Sequence, residues 1–92
     1  MEFEWAEEKR FSTLDARDID FLDMCQLSDG RPVYIHASTR GTEERWVTIG
    51  RIQGKFYAVV WTLRETRVRI ISARRARNGE ERRYRTLHGG GN

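Results

Sequence analysis

The chain has 92 residues, of which 38% are hydrophobic and 34% charged, and its net charge is +3. Three Trp, three Tyr and four Phe give too much apolar bulk for a disordered chain, so we expect one domain over residues 1–88 and a flexible tail over 89–92. No apolar stretch is long enough to span a bilayer, and the start of the chain does not resemble a signal peptide. We therefore expect a cytoplasmic protein without membrane contact.

Two short helices are predicted in the N-terminal third. The first covers about residues 6–15, where good helix formers follow acids in the first turn. The second covers about 18–27, with Asp18 as its cap and a stop at Asp29-Gly30.

From Arg31 onward the pattern favours β-strands, and the last segment favours a helix. Strands are predicted in "RPVYIHAS", "RWVTIGRI", "KFYAVVWTL" and "RVRIISAR", the last three joined by turns at Gln53-Gly54 and Glu65-Thr66. A helix from about 78 to 87, capped by Asn78, completes the chain. The predicted fold class is α+β, with two N-terminal helices, an antiparallel sheet of about four strands and a C-terminal helix.

The two tight turns also predict the strand register. A two-residue turn at Gln53-Gly54 pairs Trp46 with Trp61, and the same rule at Glu65-Thr66 pairs Trp61 with Ile70. With this register, one face of the sheet would carry Trp46, Thr48, Tyr57, Trp61, Ser72 and Arg74. The opposite face would carry Val47, Ile49, Ala58, Val60 and Ile71, rimmed by Arg45, Arg51, Arg69 and Arg75, and we expect the helices to pack on this second face. A slip of one residue would exchange the two sets of side chains.

Arginine accounts for fifteen of the seventeen basic residues, and its distribution is uneven. Residues 1–30 have a net charge of −6, whereas residues 64–92 have +6. The planar guanidinium group binds phosphate bidentately and stacks on rings, so arginine clustered around the end of the last strand favours contact with a polyanion. The alternative is that the helical arginines are a solvated surface paired with Glu80 and Glu81.

Conventional catalytic motifs are missing from the sequence. There is no serine–histidine–acid arrangement, phosphate-binding glycine loop or set of metal ligands, so we expect no cofactor and no metal. Basic groups can nevertheless cleave RNA if they orient the 2′-hydroxyl and stabilise the phosphorane, provided that another group moves a proton. Because arginine is a poor base at neutral pH, Glu44, Glu81 or Tyr84 would have to carry that proton.

Six segments together resemble the BrnT family of bacterial toxins. They are "FEW" at 3–5, "DGRPVY" at 29–34, "EERWVTIG" at 43–50, "AVVWT" at 58–62, "IISARRAR" at 70–77 and "EERRYR" at 80–85. The resemblance implies a fold similar to RelE-type ribonucleases and metal-independent endoribonuclease activity that inhibits translation. It also implies neutralisation by a BrnA-type antitoxin, which contacts operator DNA through a ribbon-helix-helix domain.

The N-terminal third departs from the pattern of that family, W-D-x-x-K-x-x-x-N-L-x-K-H-G. Ala16 and Arg17 stand where the family has its Lys-His pair. Ala16 can supply neither charge nor proton transfer, whereas Arg17 can still bind phosphate without acting as a base. The matching residues are Trp5, Lys9 and Leu14, and the other departures are Ala6, Thr13 and Asp18.

Our working hypothesis is a toxin-type endoribonuclease. Its predicted catalytic residues are Arg69, Arg74, Glu44 and Tyr84, and its predicted RNA-binding residues are Arg17, Arg45, Arg51 and Arg75. The alternative is a catalytically weak or silent module of the same fold that binds RNA or the antitoxin.

Overall fold

The computed structural model describes residues 2–39 and 41–89. Its α+β architecture confirms the predicted fold class, with helices on both faces of one sheet. No helix in these two stretches is long and apolar enough to cross a membrane. The elements are β1 (Glu2–Glu4), α1 (Glu7–Arg17), α2 (Phe21–Met24) with a 3₁₀ turn (Cys25–Ser28), β2 (Tyr34–Ala37), β3 (Trp46–Ile52), β4 (Lys55–Arg64), β5 (Arg67–Arg75) and α3 (Asn78–His88).

Asp18 ends the first N-terminal helix rather than beginning the second. Asp18 adopts a left-handed conformation, with φ 57°, and its backbone N–H donates to the Leu14 carbonyl at 2.9 Å, which ends α1. Asp20 instead caps α2, because its carboxylate accepts the Leu22 N–H at 3.0 Å. The prediction that Asp18 caps the second helix is therefore wrong, and α2 is shorter than expected.

The C-terminal helix α3 matches the predicted span except at its cap. Arg77 is the N-cap residue, and its N–H donates to the Glu80 carboxylate at 2.8 Å, whereas Asn78 is already helical. At the other end Gly89, with φ 68°, donates its N–H to the Arg85 carbonyl. The rest of the predicted tail, 90–92, lies outside the described residues.

The sheet has five strands in the order β1-β5-β4-β3-β2. The three sequential antiparallel strands β3, β4 and β5 are confirmed. The additional strand is β1, which pairs in parallel with the start of β5 and sets Phe3 beside Val68. Three residues are too few for a periodic pattern, so this strand is recognisable only from its pairing.

The turn at Gln53-Gly54 sets the predicted register of β3 and β4. Trp46 pairs with Trp61, and their indole rings stack with centroids 5.1 Å apart. The Trp61 indole N–H donates to the Thr48 hydroxyl at 2.7 Å, which satisfies a polar atom within the apolar face.

The predicted register of β4 and β5 is correct at Trp61–Ile70 and wrong beyond it. Val60 pairs with Ser72, so Ile71 is an extra residue that forms a β-bulge. Because the side-chain period of a strand is two, this single residue moves every later side chain of β5 to the opposite face.

The bulge exchanges two arginines between the faces. We call the side of the sheet that carries Trp46 and Trp61 the tryptophan face, and the opposite side, which carries Val47 and Val60, the arginine face. Arg74 pairs with Ala58 and lies on the arginine face, whereas Arg75 pairs with Tyr57 and lies on the tryptophan face. The sequence-based assignment of both residues is therefore wrong.

Each face of the sheet has its own apolar core. The second N-terminal helix α2 and its 3₁₀ turn cover the tryptophan face, contrary to the expectation that the helices pack on the other side, and α3 covers part of the arginine face. The first core contains Ile19, Phe21, Met24, Leu27, Ile52, Val59, Ile70 and Ala73, and the second contains Val47, Ile49, Phe56 and Ala58, with Ala76 and Tyr84 packed against them.

Candidate functional site

A cleft of about 470 Å³ lies on the arginine face. The ends of β2 and β5, the start of β3 and the first turn of α3 form its walls, and α1 reaches it from the edge of the sheet. Four arginines and one glutamate give the lining a positive formal charge. The charged and imidazole side chains that line the cleft are Arg17, His36, Arg45, Arg74, Arg77 and Glu80.

An ion pair between Arg74 and Glu80 organises the cleft. Arg74 Nη1 donates to Glu80 Oε1 at 2.8 Å and Nη2 donates to Oε2 at 3.0 Å, which is a bidentate contact. The two side chains are only 22% and 13% exposed, so solvent screens the pair weakly. The contact fixes the Arg74 guanidinium at the junction of β5 and α3.

The carboxyl group of Glu80 stays ionised in this setting. Burial by itself raises its pKa, but the hydrogen bonds from Arg74 and the Arg77 N–H, together with the Arg74 charge, outweigh burial and lower the pKa to about 2. Glu80 is therefore an anchor for cations rather than a proton carrier near neutral pH.

His36 faces the same carboxylate from β2. Its Nε2 lies 3.5 Å from Glu80 Oε2, and its Nδ1 lies 3.1 Å from the Ala37 carbonyl oxygen. The ring stacks on Tyr34 with centroids 5.5 Å apart. These contacts orient the imidazole at the wall of the cleft, where 33% of the side chain is exposed.

Arg45 and Arg17 enter the cleft from different elements. Arg45 donates from Nη2 to Glu43 at 3.2 Å, while its buried Nε has no hydrogen-bond partner within 2–39 and 41–89. Arg17 Nη1 donates to the Ala73 carbonyl at 2.8 Å, along the edge of β5 that β1 leaves unpaired.

Two predicted site arginines lie away from the cleft. Arg69 donates to the carboxylate of Glu4 in β1 at 2.9 Å, so its charge is paired, and it lies in the half of β5 away from the cleft. Arg75 lies over the Tyr57 ring at 5.4 Å and donates to the Phe56 carbonyl at 3.0 Å. The bulge at Ile71 accounts for the position of Arg75.

The remaining predicted residues also lie outside the cleft lining. Arg51 lies over the Phe56 ring at 5.2 Å, and Tyr84 packs edge-on against the same ring at 5.0 Å. Glu44 is exposed, and its backbone carbonyl accepts the Thr62 hydroxyl at 2.6 Å. The structure thus brings together Arg17, Arg45 and Arg74 of the eight predicted residues.

Sequence reasoning missed His36 and Glu80 as cleft residues. His36 pairs with Val47 and so lies on the arginine face, but no tight turn fixes the register of β2, which made its face unpredictable. The sequence did contain a signal for the position of Glu80, because an acidic side chain in the first turn of a helix can accept a hydrogen bond from the backbone N–H of the N-cap residue.

This geometry defines an α+β protein with several arginines on one cleft, and guanidinium groups are the side chains that bind phosphodiesters and similar oxyanions bidentately. The family model for BrnT, the ribonuclease toxin of type II toxin–antitoxin systems, matches residues 5–80. The chain therefore belongs to the BrnT family, which confirms the family predicted from the sequence. No curated protein matches the chain. Family membership indicates RNA as substrate and an antitoxin as partner.

The matched span contains every charged residue that lines the cleft, from Arg17 to Glu80, whereas Tyr84 follows it. Within the described residues, no group of three or more His, Cys, Asp or Glu side chains is arranged to hold a metal ion.

The Glu80 carboxylate predicts a specific loss of stability in acid. Its pKa is lowered from an ordinary 4.5 to about 2, so its contribution is complete above pH 4.5 and is lost as the pH falls toward 2. We expect Glu80→Gln to lower the free energy of unfolding by about 1–2 kcal/mol at pH 7, and the difference from wild type to shrink below pH 4. Urea unfolding across this pH range measures both values.

Glu81→Gln is the matched control, because Glu81 contacts Arg85 at 3.5 Å on the same helix and lies outside the cleft lining. An equal loss of stability in both variants, with the same pH dependence, would contradict the role assigned to Glu80.

Proposed function

We propose that this protein is an endoribonuclease that inhibits translation by cutting RNA in the cleft on the arginine face, without a metal ion. A BrnA-type antitoxin with a ribbon-helix-helix domain neutralises it and links it to operator DNA. The site of action is the cytoplasm, where RNA and the antitoxin are present. The convergence of Arg17, Arg45 and Arg74 from three separate segments of the chain is the observation that carries this proposal.

Arg45 and Arg74 are the proposed phosphate ligands. Arg74 is held in place by Glu80 and Arg45 by Glu43, so both guanidinium groups are already ordered before a phosphate binds. Attack of the 2′-hydroxyl on the adjacent phosphorus places extra negative charge on the phosphoryl oxygens, and fixed guanidinium groups stabilise that charge. The cleft therefore supplies the positive charge that metal-independent cleavage requires.

Arg17 has a supporting role in this proposal. It stands at a position where the family pattern has histidine, and its guanidinium lines the cleft while bonded to the Ala73 carbonyl. Arginine keeps its proton at neutral pH, so Arg17 contributes charge but no proton transfer. Arg69, paired with Glu4, receives no catalytic role.

The alternative function is a catalytically weak or silent module that binds RNA or an acidic segment of the antitoxin. It is favoured by the bidentate contact of Glu80, which occupies two donors of Arg74. Ala16 and Arg17, in place of the Lys-His pair of the family, favour it as well. RNA that binds without being cut would support this function over the enzyme.

We expect purified protein to cleave single-stranded RNA in the presence of EDTA. Arg45→Ala and Arg74→Ala should each lower the cleavage rate about 10- to 100-fold, because a charge-assisted hydrogen bond contributes about 1.5–3 kcal/mol. On 2′-O-methylated RNA, which cannot be cut, each variant should also reduce the slope of log affinity against log salt by about 0.7. Thermal unfolding confirms that each variant is folded.

Arg51→Ala is the control for loss of one exposed arginine, because Arg51 lies over Phe56 away from the cleft. Cleavage by the folded Arg45 and Arg74 variants at the wild-type rate would contradict the assignment. Loss of wild-type cleavage on addition of EDTA would contradict metal independence.

Inducible expression in bacteria tests the biological role. We expect expression of the protein alone to stop growth and incorporation of labelled amino acids, and co-expression of the BrnA-type antitoxin encoded beside it to restore both. Arg74→Ala should relieve the arrest at an equal protein level. Growth arrest that the antitoxin does not relieve would contradict the proposed pairing.

A further inference from the structure

His36 is the one histidine that lines the cleft among the described residues. The other histidine, His88, lies at the end of α3, where its Nε2 is 2.9 Å from the Val33 carbonyl oxygen and its ring contacts Tyr84. Histidine is the side chain that most readily exchanges a proton near neutral pH. The cleft therefore contains one group suited to proton transfer beside its phosphate-binding arginines.

His36 lies between two hydrogen-bond acceptors. Its two nitrogens face the Ala37 carbonyl and the Glu80 carboxylate, which are both acceptors. A neutral imidazole has one N–H and can donate to only one of them, whereas the imidazolium donates to both. Glu80 keeps its charge because its pKa is about 2, so a carboxylate faces the ring throughout the neutral range.

Other charges also face the ring. Among the described residues that line the cleft, Glu80 is the one carboxylate and the other charged side chains are arginines. At 3.5 Å the contact from Nε2 to Glu80 is too long for a strong hydrogen bond, so this N–H remains available to a ligand oxygen. The charged groups around the ring are Glu80, Arg77 and Arg83 from the α3 side, Arg74 from β5, Arg45 from the segment before β3 and Arg17 from α1.

We propose that His36 is the general acid of this cleft and that Glu80 positions it against Arg74. The proposal rests on the ribonuclease function above and assigns the proton donor of that reaction. Because Glu80 contacts both Arg74 and His36, it fixes the proton donor relative to the phosphate ligand.

In the proposed step the 2′-oxygen forms a bond to phosphorus while the bond from phosphorus to the 5′-oxygen breaks. The 2′-hydroxyl proton passes to water, and the imidazolium proton of His36 passes to the departing 5′-oxygen. The products are a 2′,3′-cyclic phosphate and a 5′-hydroxyl, and His36 regains a proton from solvent. No oxidation or reduction occurs, and the proton count is unchanged over one turnover.

Other groups in or near the cleft are poorly suited to this role. The arginines hold their protons too firmly to donate them at neutral pH, and Glu80 is ionised and has no proton to give. Tyr84 packs against Phe56 in the second core and does not line the cleft.

His36→Ala and His36→Gln test the assignment, with His88→Ala as the matched control. We expect both His36 variants to cleave RNA about 100-fold or more slowly at neutral pH, while affinity for 2′-O-methylated RNA changes less than about twofold. A substrate with sulfur in place of the 5′-bridging oxygen needs no protonation of its leaving group, so the His36 variants should cut it at close to the wild-type rate. His88→Ala should behave as wild type on both substrates.

The sulfur substrate also tests the positioning role of Glu80. Glu80→Gln should slow cleavage of the oxygen substrate more than cleavage of the sulfur substrate, because a displaced His36 matters only where the leaving oxygen needs a proton. A purely structural role for Glu80 would slow both substrates equally, and that result would overturn the positioning role.

The outcomes separate this inference from the proposed function. Wild-type cleavage with unimpaired His36 variants would overturn the general acid and leave the ribonuclease intact. His36 variants that are equally slow on the oxygen and sulfur substrates would also overturn it. A wild-type protein that cuts neither substrate would overturn the ribonuclease proposal and His36 with it.

Discussion

The ion pair between Arg74 and Glu80 is the contact on which the arrangement of the cleft depends. It joins the end of β5 to the first turn of α3, and the same carboxylate holds the Arg77 N–H and faces His36. The pair forms only because the bulge at Ile71 turns Arg74 onto the arginine face. One extra residue in a strand thereby decides which arginine lines the cleft.

The acidic and basic ends of the chain take different places in the fold. From the acidic N-terminal third, the second short helix packs on the tryptophan face, where it supplies Phe21 and Met24 to the core. The basic C-terminal third provides β5 and α3, which enclose the cleft on the opposite side. The guanidinium groups of Arg74 and Arg17, held by Glu80 and by the Ala73 carbonyl, lie in fixed positions at this cleft.

Much of the fold could be predicted because its signals are local. The Gln53-Gly54 turn determined the Trp46–Trp61 pairing, and the family resemblance extended over most of the chain. The bulge carries no glycine or proline to mark it, so the face of Arg74 could not be predicted from alternation alone. The contact from Arg69 to Glu4 joins residues 65 positions apart, and His36 gained its neighbours only through β2 pairing. Arg69 and Arg74 are the same residue type in one strand, yet the bulge places Arg74 in the cleft and the contact with Glu4 holds Arg69 outside it.

The central claim is that the groups organised by Glu80 receive the RNA backbone. Side-chain NMR signals of arginine and histidine, followed during titration with 2′-O-methylated single-stranded RNA, test it most directly. The account predicts saturable changes at Arg45, Arg74 and His36, with Arg51 and Arg69 unaffected. Changes confined to Arg51 and Arg69, with an undisturbed cleft, would contradict it.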